Sequence, residues 1–328
     1  MKILVTGGTG FIGGHLCERL AHDGHTVRAL VRRPERADLL KSWGVEVIQG
    51  DLCDPASLER AVEGVEQVYH LGAAFRKDVT RRQIWDVNVE GTKRLLTAAA
   101  RAGVKRLVHA STVGVHGGRL NEVPITERTP YAPIPGDLYQ QSKIEAERVV
   151  FGFQQGPGPE VTVVQLVGVY GPRDDRFLRL IRLIQRRRFV MVGSGNHPIP
   201  MIHVDDLIEG VVRCGRSPGA AGNAYILSND EALTLNRIVH TIAQALGVPV
   251  PRWRVPFAPV YAASALCEWV CKPLGIHPPL FRRRVNFFRW SKRLDIAKAR
   301  SELGFAPQVP FQEGIQRTIA WYRAEGKL

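Results

Sequence analysis

Short apolar runs alternate with amphipathic stretches along the first half of the chain. Residues 3–5 are apolar and lead directly into the glycine-rich stretch 6–14, after which Leu16, Leu20 and Ala21 recur at helical spacing. This order predicts a strand, a tight turn and a helix. Further apolar runs predict five more strands, over 27–31, 45–48, 68–71, 107–110 and 161–166.

Helical periodicity fills the gaps between these runs, for example over 89–102, where Leu95, Leu96 and Ala99 share one face. Strands that alternate with helices favour a parallel sheet covered on both sides. Because crossover connections between parallel strands are right-handed, a doubly wound sheet is the simplest topology. The pattern therefore predicts an α/β fold.

Four glycines of the stretch 6–14 match the spacing of dinucleotide-binding turns. Gly7, Gly10 and Gly13 satisfy G-x-x-G-x-x-G, and Gly8, Gly10 and Gly13 satisfy G-x-G-x-x-G. In such a turn one glycine permits the tight bend, another lets the backbone approach a pyrophosphate, and a third packs the helix against the strand. The helix start offers N–H groups and the positive end of its dipole to the phosphates. A purely structural turn would not need so many glycines, so we predict a Rossmann-type fold that binds a dinucleotide.

The pattern becomes less regular after residue 172. Amphipathic helices are predicted over 177–184 and 233–246, and prolines cluster over 249–259 and at 278–279. This punctuation suits a smaller C-terminal region that closes over a substrate. We therefore predict a dinucleotide-binding domain over 1–172, to which 200–230 return, and a substrate-binding cap made of 173–199 and 231–328.

The end of the second predicted strand bears on the choice of dinucleotide. An NAD enzyme often carries an acid there that binds the ribose 2′-hydroxyl. This chain has Arg32 and Arg33 instead, and guanidinium groups suit a 2′-phosphate. We favour NADP(H); NAD(H) is the alternative if both arginines are merely solvated. Asp51, which follows the third strand, is placed to meet the adenine.

Tyr139 and Lys143 stand four residues apart at the start of a predicted helix and so share one face. A free tyrosine has a pKa near 10, but a nearby ammonium and an oxidised nicotinamide both favour the phenolate and lower that pKa. Tyr139 is then suited to exchange a proton with an alcohol while a hydride moves. Thr112, at the end of the fifth strand, is the candidate hydroxyl that holds the substrate oxygen, and Ser111 ranks second.

These motifs occur in an order that resembles the extended short-chain dehydrogenase/reductases of the NAD-dependent epimerase/dehydratase superfamily. The resemblance runs through 6–13, 50–52, 70–74, 88–92, 111–117, 139–143, 169–172 and 203–206. The family's fifth-strand motif usually ends in Tyr-Gly, whereas this chain has His116 and Gly117. Alignment on that glycine puts the family's catalytic hydroxyl at Thr112.

The resemblance also implies roles for individual residues. Lys143 would contact the nicotinamide ribose, 166–169 would lie near the nicotinamide ring, and dimerisation through the helices after the fourth and fifth strands is common in the family. The expected catalytic residues are Thr112, Tyr139 and Lys143, without a metal. The expected cofactor-binding residues are Gly7, Gly10, Phe11, Ile12, Gly13, Arg32, Arg33, Asp51, Leu52, Leu71, Ala73, Asn88, Tyr139, Lys143, Leu166 and Val169.

Two departures from the family pattern bear on the substrate. Ile199 replaces an arginine that nucleotide-sugar enzymes use for a diphosphate, and an isoleucine cannot take over a guanidinium's role. Gln165-Leu166 replaces the usual Arg-Pro. The apolar, aromatic stretch 257–271 resembles the 3β-hydroxysteroid dehydrogenase branch, in which this region forms an apolar cap. We therefore predict hydride transfer between the nicotinamide and a secondary alcohol or ketone of an apolar, sterol-like or long-chain substrate.

Two other functions are weighed against this prediction. The first is a nucleotide-sugar epimerase or dehydratase with tightly bound NAD, which would use the same triad for a transient oxidation. The second is a non-catalytic cofactor sensor or scaffold. Such proteins typically lose the tyrosine or the lysine, and this chain keeps both.

Composition is ordinary for a soluble globular protein, with 45% hydrophobic and 23% charged residues among 328. No uninterrupted apolar run reaches the roughly 18 to 20 residues of a membrane-spanning helix. The start of the chain enters the glycine motif at once and lacks the regions of a signal peptide. The five cysteines are scattered and odd in number, which favours reduced thiols in the cytoplasm.

The formal net charge is +14, which leaves nucleic acid, an anionic membrane surface, or an anionic cofactor and substrate as partners. No nucleic-acid module surrounds the arginine runs, so no nucleic-acid partner is predicted. Aromatic residues interleave with arginines over 287–290, as at a lipid headgroup boundary. A peripheral membrane contact through 257–293 is therefore one interpretation, and a core helix with a basic solvent edge is the other.

Overall fold

The computed structural model describes residues 1–75, 80–117, 123–231, 233–271, 273, 278–286, 288 and 293–328. Within these residues the main sheet has seven strands, which are β1 Lys2–Thr6, β2 Thr26–Val31, β3 Glu46–Gln49, β4 Gln67–His70, β5 Arg106–Thr112, β6 Glu160–Leu166 and β10 Ala224–Leu227. The remaining described strands form two small sheets, β7 Gly168–Tyr170 with β9 Met201–His203, and β8 Met191–Val192 with β11 Arg254–Val255.

The helices follow the strands in alternation over the first half of the chain. They are α1 Phe11–His22, α2 Asp38–Ser42, α3 Pro55–Val62, α4 Arg81–Trp85, α5 Gly91–Arg101, α6 Leu138–Phe153, α7 Asp175–Gln185, α8 Val204–Arg216, α9 Leu235–Leu246, α10 Phe257–Cys271, α11 Arg282–Asn286, α12 Ala297–Leu303 and α13 Phe311–Ala324. A π-helical turn, Asp86–Glu90, joins α4 to α5, and short 3₁₀ turns span Pro34–Arg36, Val113–His116 and Pro218–Ala220.

The strand order β10-β6-β5-β4-β1-β2-β3 and parallel pairing throughout confirm the predicted doubly wound sheet. Successive side chains of a strand point to opposite faces. Leu4 therefore belongs to the cluster under α3 and α5, and Val5 to the cluster under α1 and α8. Burial on both faces explains why the strands read as continuous apolar runs.

A third apolar cluster lies outside the main sheet. It is built mainly from α7, α9 and α13, with Ile181, Ile242 and Ile315 fully or almost fully buried. The chain returns to the sheet through β10, as predicted for 200–230, while Leu303 and Phe305 near the end of α12 also pack in the cluster under α1 and α8. The bounds of the two domains stay a prediction.

Because all strands of the main sheet are parallel, their carboxyl ends meet at one edge, where ligands bind in doubly wound folds. The glycine turn follows β1, the two arginines follow β2, Asp51 follows β3, and Leu71 follows β4. Thr112 and Leu166 end the paired strands β5 and β6 and lie opposite each other in register. Nowhere in the described part of the chain is a helix both long and apolar enough to cross a membrane.

Candidate active site

The turn after β1 has room for backbone but not for side chains. Gly7 has a φ of +76°, and a Cβ there would lie 2.9 Å from the Gly72 nitrogen. A Cβ on Gly13 would lie 2.1 Å from the Gly7 carbonyl oxygen. Gly10 caps α1 without any side-chain hydrogen bond, and Phe11 and Ile12 pack partly against the core behind it. The first N–H groups of α1 are therefore left for an outside acceptor, which fits the pyrophosphate of a dinucleotide.

An open surface pocket adjoins the carboxyl ends of β2 and β3. It is lined by Arg32, Gln49, Gly50, Asp51, Asp54 and Arg60. Arg32 and Arg33 are both exposed, and within the described residues neither makes an ion pair. Arg60, which sequence reasoning did not identify, brings a second cation to the same pocket from α3. The Asp51 carboxylate accepts a hydrogen bond from the Cys53 nitrogen at 2.9 Å, which holds the turn after β3.

At the carboxyl edge of the sheet, Asn88 ties the loop after β4 to α6. Its side-chain oxygen accepts from the Ala74 nitrogen at 2.7 Å, and its amide nitrogen donates to the Ala74 oxygen and to Ser142 Oγ, each at 2.9 Å. Asn88 lies within the π-helical turn, and such turns are frequent at functional sites. Both Asn88 N–H groups are thus used within the protein. The structure therefore gives Asn88 a positioning contact, and its predicted contact with the cofactor stays a prediction.

The other predicted lining residues surround this loop. Leu52 is buried beneath Gly91, Leu71 and Ala73 are half-buried after β4, and Leu166 and Val169 flank the end of β6. Leu52, Leu71 and Ala73 follow β3 and β4 and Leu166 ends β6, at the same edge of the sheet as the glycine turn, while Val169 lies on β7.

A chain of hydrogen bonds through the His70 side chain links the ends of β1 and β4 to Asn88. The Thr92 hydroxyl donates to the Asn88 carbonyl oxygen at 2.7 Å, so it accepts from His70 Nε2 at 2.9 Å. His70 Nδ1 then accepts from the Thr6 hydroxyl at 2.7 Å. Burial lowers the pKa of His70 to about 3, so the ring is neutral in this arrangement. Each side chain has one workable proton position, which rigidifies the ends of β1 and β4.

The two candidate hydroxyls of β5 lie in different surroundings. Ser111 is buried and donates to the Glu147 carboxylate in the core. Thr112, one residue on and half-buried, begins the 3₁₀ turn and accepts from the Gly114 nitrogen at 3.1 Å. Since Thr112 uses its oxygen as an acceptor, its own proton stays available for a substrate oxygen. The arrangement favours Thr112 over Ser111.

Tyr139 lies in the first turn of α6, which Asp137 caps by accepting from the Gln140 nitrogen at 3.1 Å. The exposed Phe75 ring approaches Tyr139 edge-on, with centroids 6.5 Å apart. Burial, reinforced by the Asp137 carboxylate and opposed by Arg176, raises the pKa of Tyr139 to about 12. The sequence-based expectation of a lowered pKa is therefore wrong for the chain alone, because burial of the phenolate and the Asp137 carboxylate outweigh Arg176.

Lys143 is almost fully buried one turn further along α6. Its Nζ lies 3.3 Å from His109 Nε2, a partner that sequence reasoning missed. Burial lowers the pKa of Lys143 to about 8, against the opposing charge of Glu147. Burial, Lys143 and His70 together hold the pKa of His109 well below its usual value, so a neutral His109 accepts from the ammonium. The sequence of β5, an apolar run with a single histidine, contains no motif that predicts this contact.

The sequence of the whole sheet supplies the family assignment. Residues 3–227 match the family described as NAD dependent epimerase/dehydratase, a stretch that includes the glycine turn, Thr112, Tyr139 and Lys143. The chain belongs to this NAD-dependent epimerase/dehydratase family. Membership confirms the resemblance on which the sequence-based assignment depends.

Relatives within the family cover almost the entire chain. The chain is 29% identical over 335 residues to a 3-beta-hydroxysteroid dehydrogenase of Mycolicibacterium neoaurum, covering 98% of this chain and 91% of that protein. It is 32% identical over 339 residues to a 2-alkyl-3-oxoalkanoate reductase of Stenotrophomonas maltophilia, covering 98% and 99%. Its fold is similar to that of MoeE5 in complex with UDP-glucose and NAD, with a TM-score of 0.79, 26% identity and 99% of each chain covered.

The NAD-dependent epimerase/dehydratase fold and the site geometry agree on the enzyme class. The protein is an NAD(P)-dependent oxidoreductase of the extended short-chain type, as the sequence predicted. The glycine cradle that a Cβ would fill and the open N-terminus of α1 fit a nicotinamide dinucleotide. The predicted residue roles in binding and catalysis stay predictions.

Proposed function

We propose that the enzyme transfers a hydride between NADP(H) and a secondary alcohol or ketone of an apolar, sterol-like or long-chain substrate. The observation that carries the choice of substrate concerns Gln165 and Ile199. Gln165 is buried and bonded to His116 and Glu147, while Ile199 packs against the third apolar cluster. Neither position offers the cation that a sugar diphosphate requires. The 3-beta-hydroxysteroid and 2-alkyl-3-oxoalkanoate in the names of the two relatives support the same class of substrate.

In this proposal each catalytic side chain has a distinct task. When bound, the nicotinamide gives or takes the hydride. Thr112 donates a hydrogen bond to the substrate oxygen, and Tyr139 gives that oxygen its single proton in reduction, or takes it in oxidation. Because the pKa of Tyr139 is about 12, the phenol stays protonated at neutral pH and is ready to act as an acid. Ketone reduction is therefore the direction that needs no prior loss of the Tyr139 proton.

The preference for NADP(H) rests on Arg32 and Arg33, which follow β2 without ion-pair partners in the described residues. Replacing both arginines by alanine should weaken NADPH binding much more than NADH binding, because only NADPH carries the 2′-phosphate. Titration of each nucleotide against the wild type and the double variant measures the difference. Equal losses for both nucleotides would show that these arginines do not meet the 2′-phosphate.

The function itself is tested by titrating NADH and NADPH and then screening sterols, β-keto acids and UDP-sugars for oxidation or reduction. The proposal expects NADPH-dependent reduction of an apolar ketone, or the reverse oxidation of the alcohol. A nucleotide-sugar epimerase is the competing candidate, favoured by the fold shared with MoeE5 in its complex with UDP-glucose and NAD. Turnover of a UDP-sugar by protein purified with bound NAD would overturn the proposal.

The outer face of α10 supports a further part of the proposal, a peripheral contact with an anionic membrane. Leu266 and Trp269 are 60% and 74% exposed there, and Trp253 is 76% exposed between Arg252 and Arg254. Apolar side chains beside arginines suit a lipid headgroup boundary. The predicted segment 287–290 lies outside the described residues apart from residue 288. The homodimer and the cytoplasmic location stay predictions.

Flotation with vesicles that contain anionic phospholipid tests the membrane contact. Wild-type protein should float with these vesicles, and a Leu266→Ser, Trp269→Ser variant should stay in solution, because it loses the exposed apolar side chains. Exposed Leu39, far from α10 in sequence, supplies the control substitution Leu39→Ser. Equal flotation of the two variants would contradict a role for α10.

A further inference from the structure

A buried carboxylate stands behind the catalytic side chains. Glu147 lies on α6, four residues after Lys143, and is 0% exposed. Its oxygens accept from Ser111 Oγ, from Tyr131 OH at 2.7 Å, and from Gln165 Nε2 at 3.2 and 3.3 Å. The three donors come from β5, β6 and the segment that precedes α6. One carboxylate therefore connects α6 to β5, to β6 and to the segment that precedes α6.

The donors are themselves held in place. Gln165 Oε1 accepts from His116 Nε2 at 2.9 Å, which fixes the Gln165 amide with its nitrogen toward Glu147. The His116 ring stacks on Tyr131 with centroids 6.1 Å apart. The Ala132 nitrogen donates to the Val115 oxygen at 2.9 Å, so the segment around Tyr131 is also tied to the turn after Thr112. The contacts form a closed ring around the carboxylate.

A buried carboxylate is costly unless it is hydrogen-bonded or paired. Within the described residues Glu147 makes no ion pair within 4.0 Å, and the hydrogen bonds compensate its burial. Its charge nevertheless acts on Lys143, whose ammonium it favours. Glu147, on the same helix, is therefore the charged group that acts on Lys143. The titratable groups on the neighbouring strands are the neutral rings of His109 on β5 and His70 on β4.

We propose that Glu147 is a positioning residue, whose carboxylate clamps the strand end bearing Thr112 against the helix bearing Tyr139 and Lys143. Ser111 precedes Thr112 directly, so a bond to Ser111 fixes the end of β5. Gln165 does the same for β6 beside Leu166. The inference rests on the proposed function, because it takes Thr112, Tyr139 and Lys143 as the catalytic side chains.

The test is Glu147→Gln, which keeps the volume of the side chain and removes its charge. Misplacement of catalytic groups by about 1 Å costs roughly 100-fold in rate, so kcat should fall by about that factor with the NADPH dissociation constant nearly unchanged. Glu147 raises the pKa of Lys143, so Lys143 should lose its proton at a lower pH in the variant. The alkaline limb of the plot of kcat against pH, where activity falls as pH rises, should therefore shift to lower pH. A merely structural role would not move that limb.

Asp206→Asn is the matched control. Asp206 is also a buried carboxylate, accepting from the Gln308 and Val309 nitrogens at 2.8 and 3.0 Å, but it holds the segment before α13. This variant should lose stability and keep the wild-type alkaline limb. Ser111→Ala and Tyr131→Phe each remove one donor and leave the charge, so they should lower kcat without moving the limb. If Glu147→Gln does not fold, these two donor variants test the positioning role in its place.

Folded Glu147→Gln with wild-type kcat and an unmoved limb would overturn the proposal. So would full activity in both donor variants when Glu147→Gln does not fold. The wild type in the same assay separates this failure from a failure of the proposed function. If the wild type transfers no hydride to any ketone, the function itself is wrong and the positioning role falls with it.

Discussion

Lys143 is expected to destabilise the fold at neutral pH, and Lys143→Met should reveal it. The side chain is 2% exposed, and burial lowers its pKa from 10.5 to about 8. Each pKa unit corresponds to about 1.4 kcal/mol, so burial of the ammonium costs about 3 kcal/mol below pH 8. Methionine has a similar length and carries no charge. The variant should therefore be about 3 kcal/mol more stable than the wild type at pH 7.

The sign of the pH dependence follows from the same shift. Because the folded pKa lies below the unfolded one, the unfolded chain binds more protons between about pH 8 and pH 10.5. Wild-type stability should therefore rise relative to the variant across this window. The difference in the free energy of unfolding between the two should have shrunk by half at about pH 9.25, midway between the two pKa values.

Urea unfolding of both proteins, followed by circular dichroism from pH 7 to pH 10, measures the two free energies of unfolding. Other titrating groups are shared by both proteins and cancel in the difference. A variant that is less stable at pH 7, or a difference that does not change with pH, would refute the reasoning. In that case the contacts of the Lys143 ammonium with His109 and Glu147 offset the free-energy cost of its burial.

Other substitutions test the remaining parts of the site. Tyr139→Phe should abolish turnover and leave NADPH affinity within about threefold, since it removes only the acid hydroxyl; unchanged kcat in a steady-state assay would contradict this. Gly13→Ala should abolish NADPH binding in a titration, because its Cβ would lie 2.1 Å from the Gly7 oxygen, while Gly152→Ala, with nothing within 4 Å, should bind normally. Asn88→Ala should lower the free energy of unfolding by about 2 kcal/mol, because it leaves the Ala74 backbone groups unpaired; a loss below about 0.5 kcal/mol in urea unfolding would argue against that role.

The sheet could be predicted because parallel strands are buried on both faces, so apolar runs such as 161–166 stand out. The prediction of six strands agrees with the structure to within a few residues. The seventh, β10, has only four residues at the sheet edge, and only the return of 200–230 to the sheet was predicted. The glycine turn was predictable because its spacing reflects a steric requirement at Gly7 and Gly13.

The polar network behind the site could not be predicted from the sequence. Glu147 follows Lys143 at helical spacing, and nothing in that spacing shows whether a carboxylate faces solvent or the core. His109 and Gln165 lie in apolar strands, and their partners come from segments 18 to 49 residues away in sequence. Asn88 in the π-helical turn is hydrogen-bonded to Ala74 and Ser142, which are 14 and 54 residues away in sequence and come together only in the folded chain. The pKa of Tyr139 depends in the same way on burial.

Transfer of deuterium from the nicotinamide to a ketone tests the central claim most directly. NADPH carrying deuterium at both C4 positions would be incubated with the enzyme and an apolar ketone from the substrate screen, and the product analysed by mass spectrometry. Hydride transfer beside Tyr139 predicts one deuterium on the carbinol carbon of the alcohol, and none with Tyr139→Phe. An alcohol formed without deuterium, or labelled equally by the Tyr139→Phe variant, would contradict it.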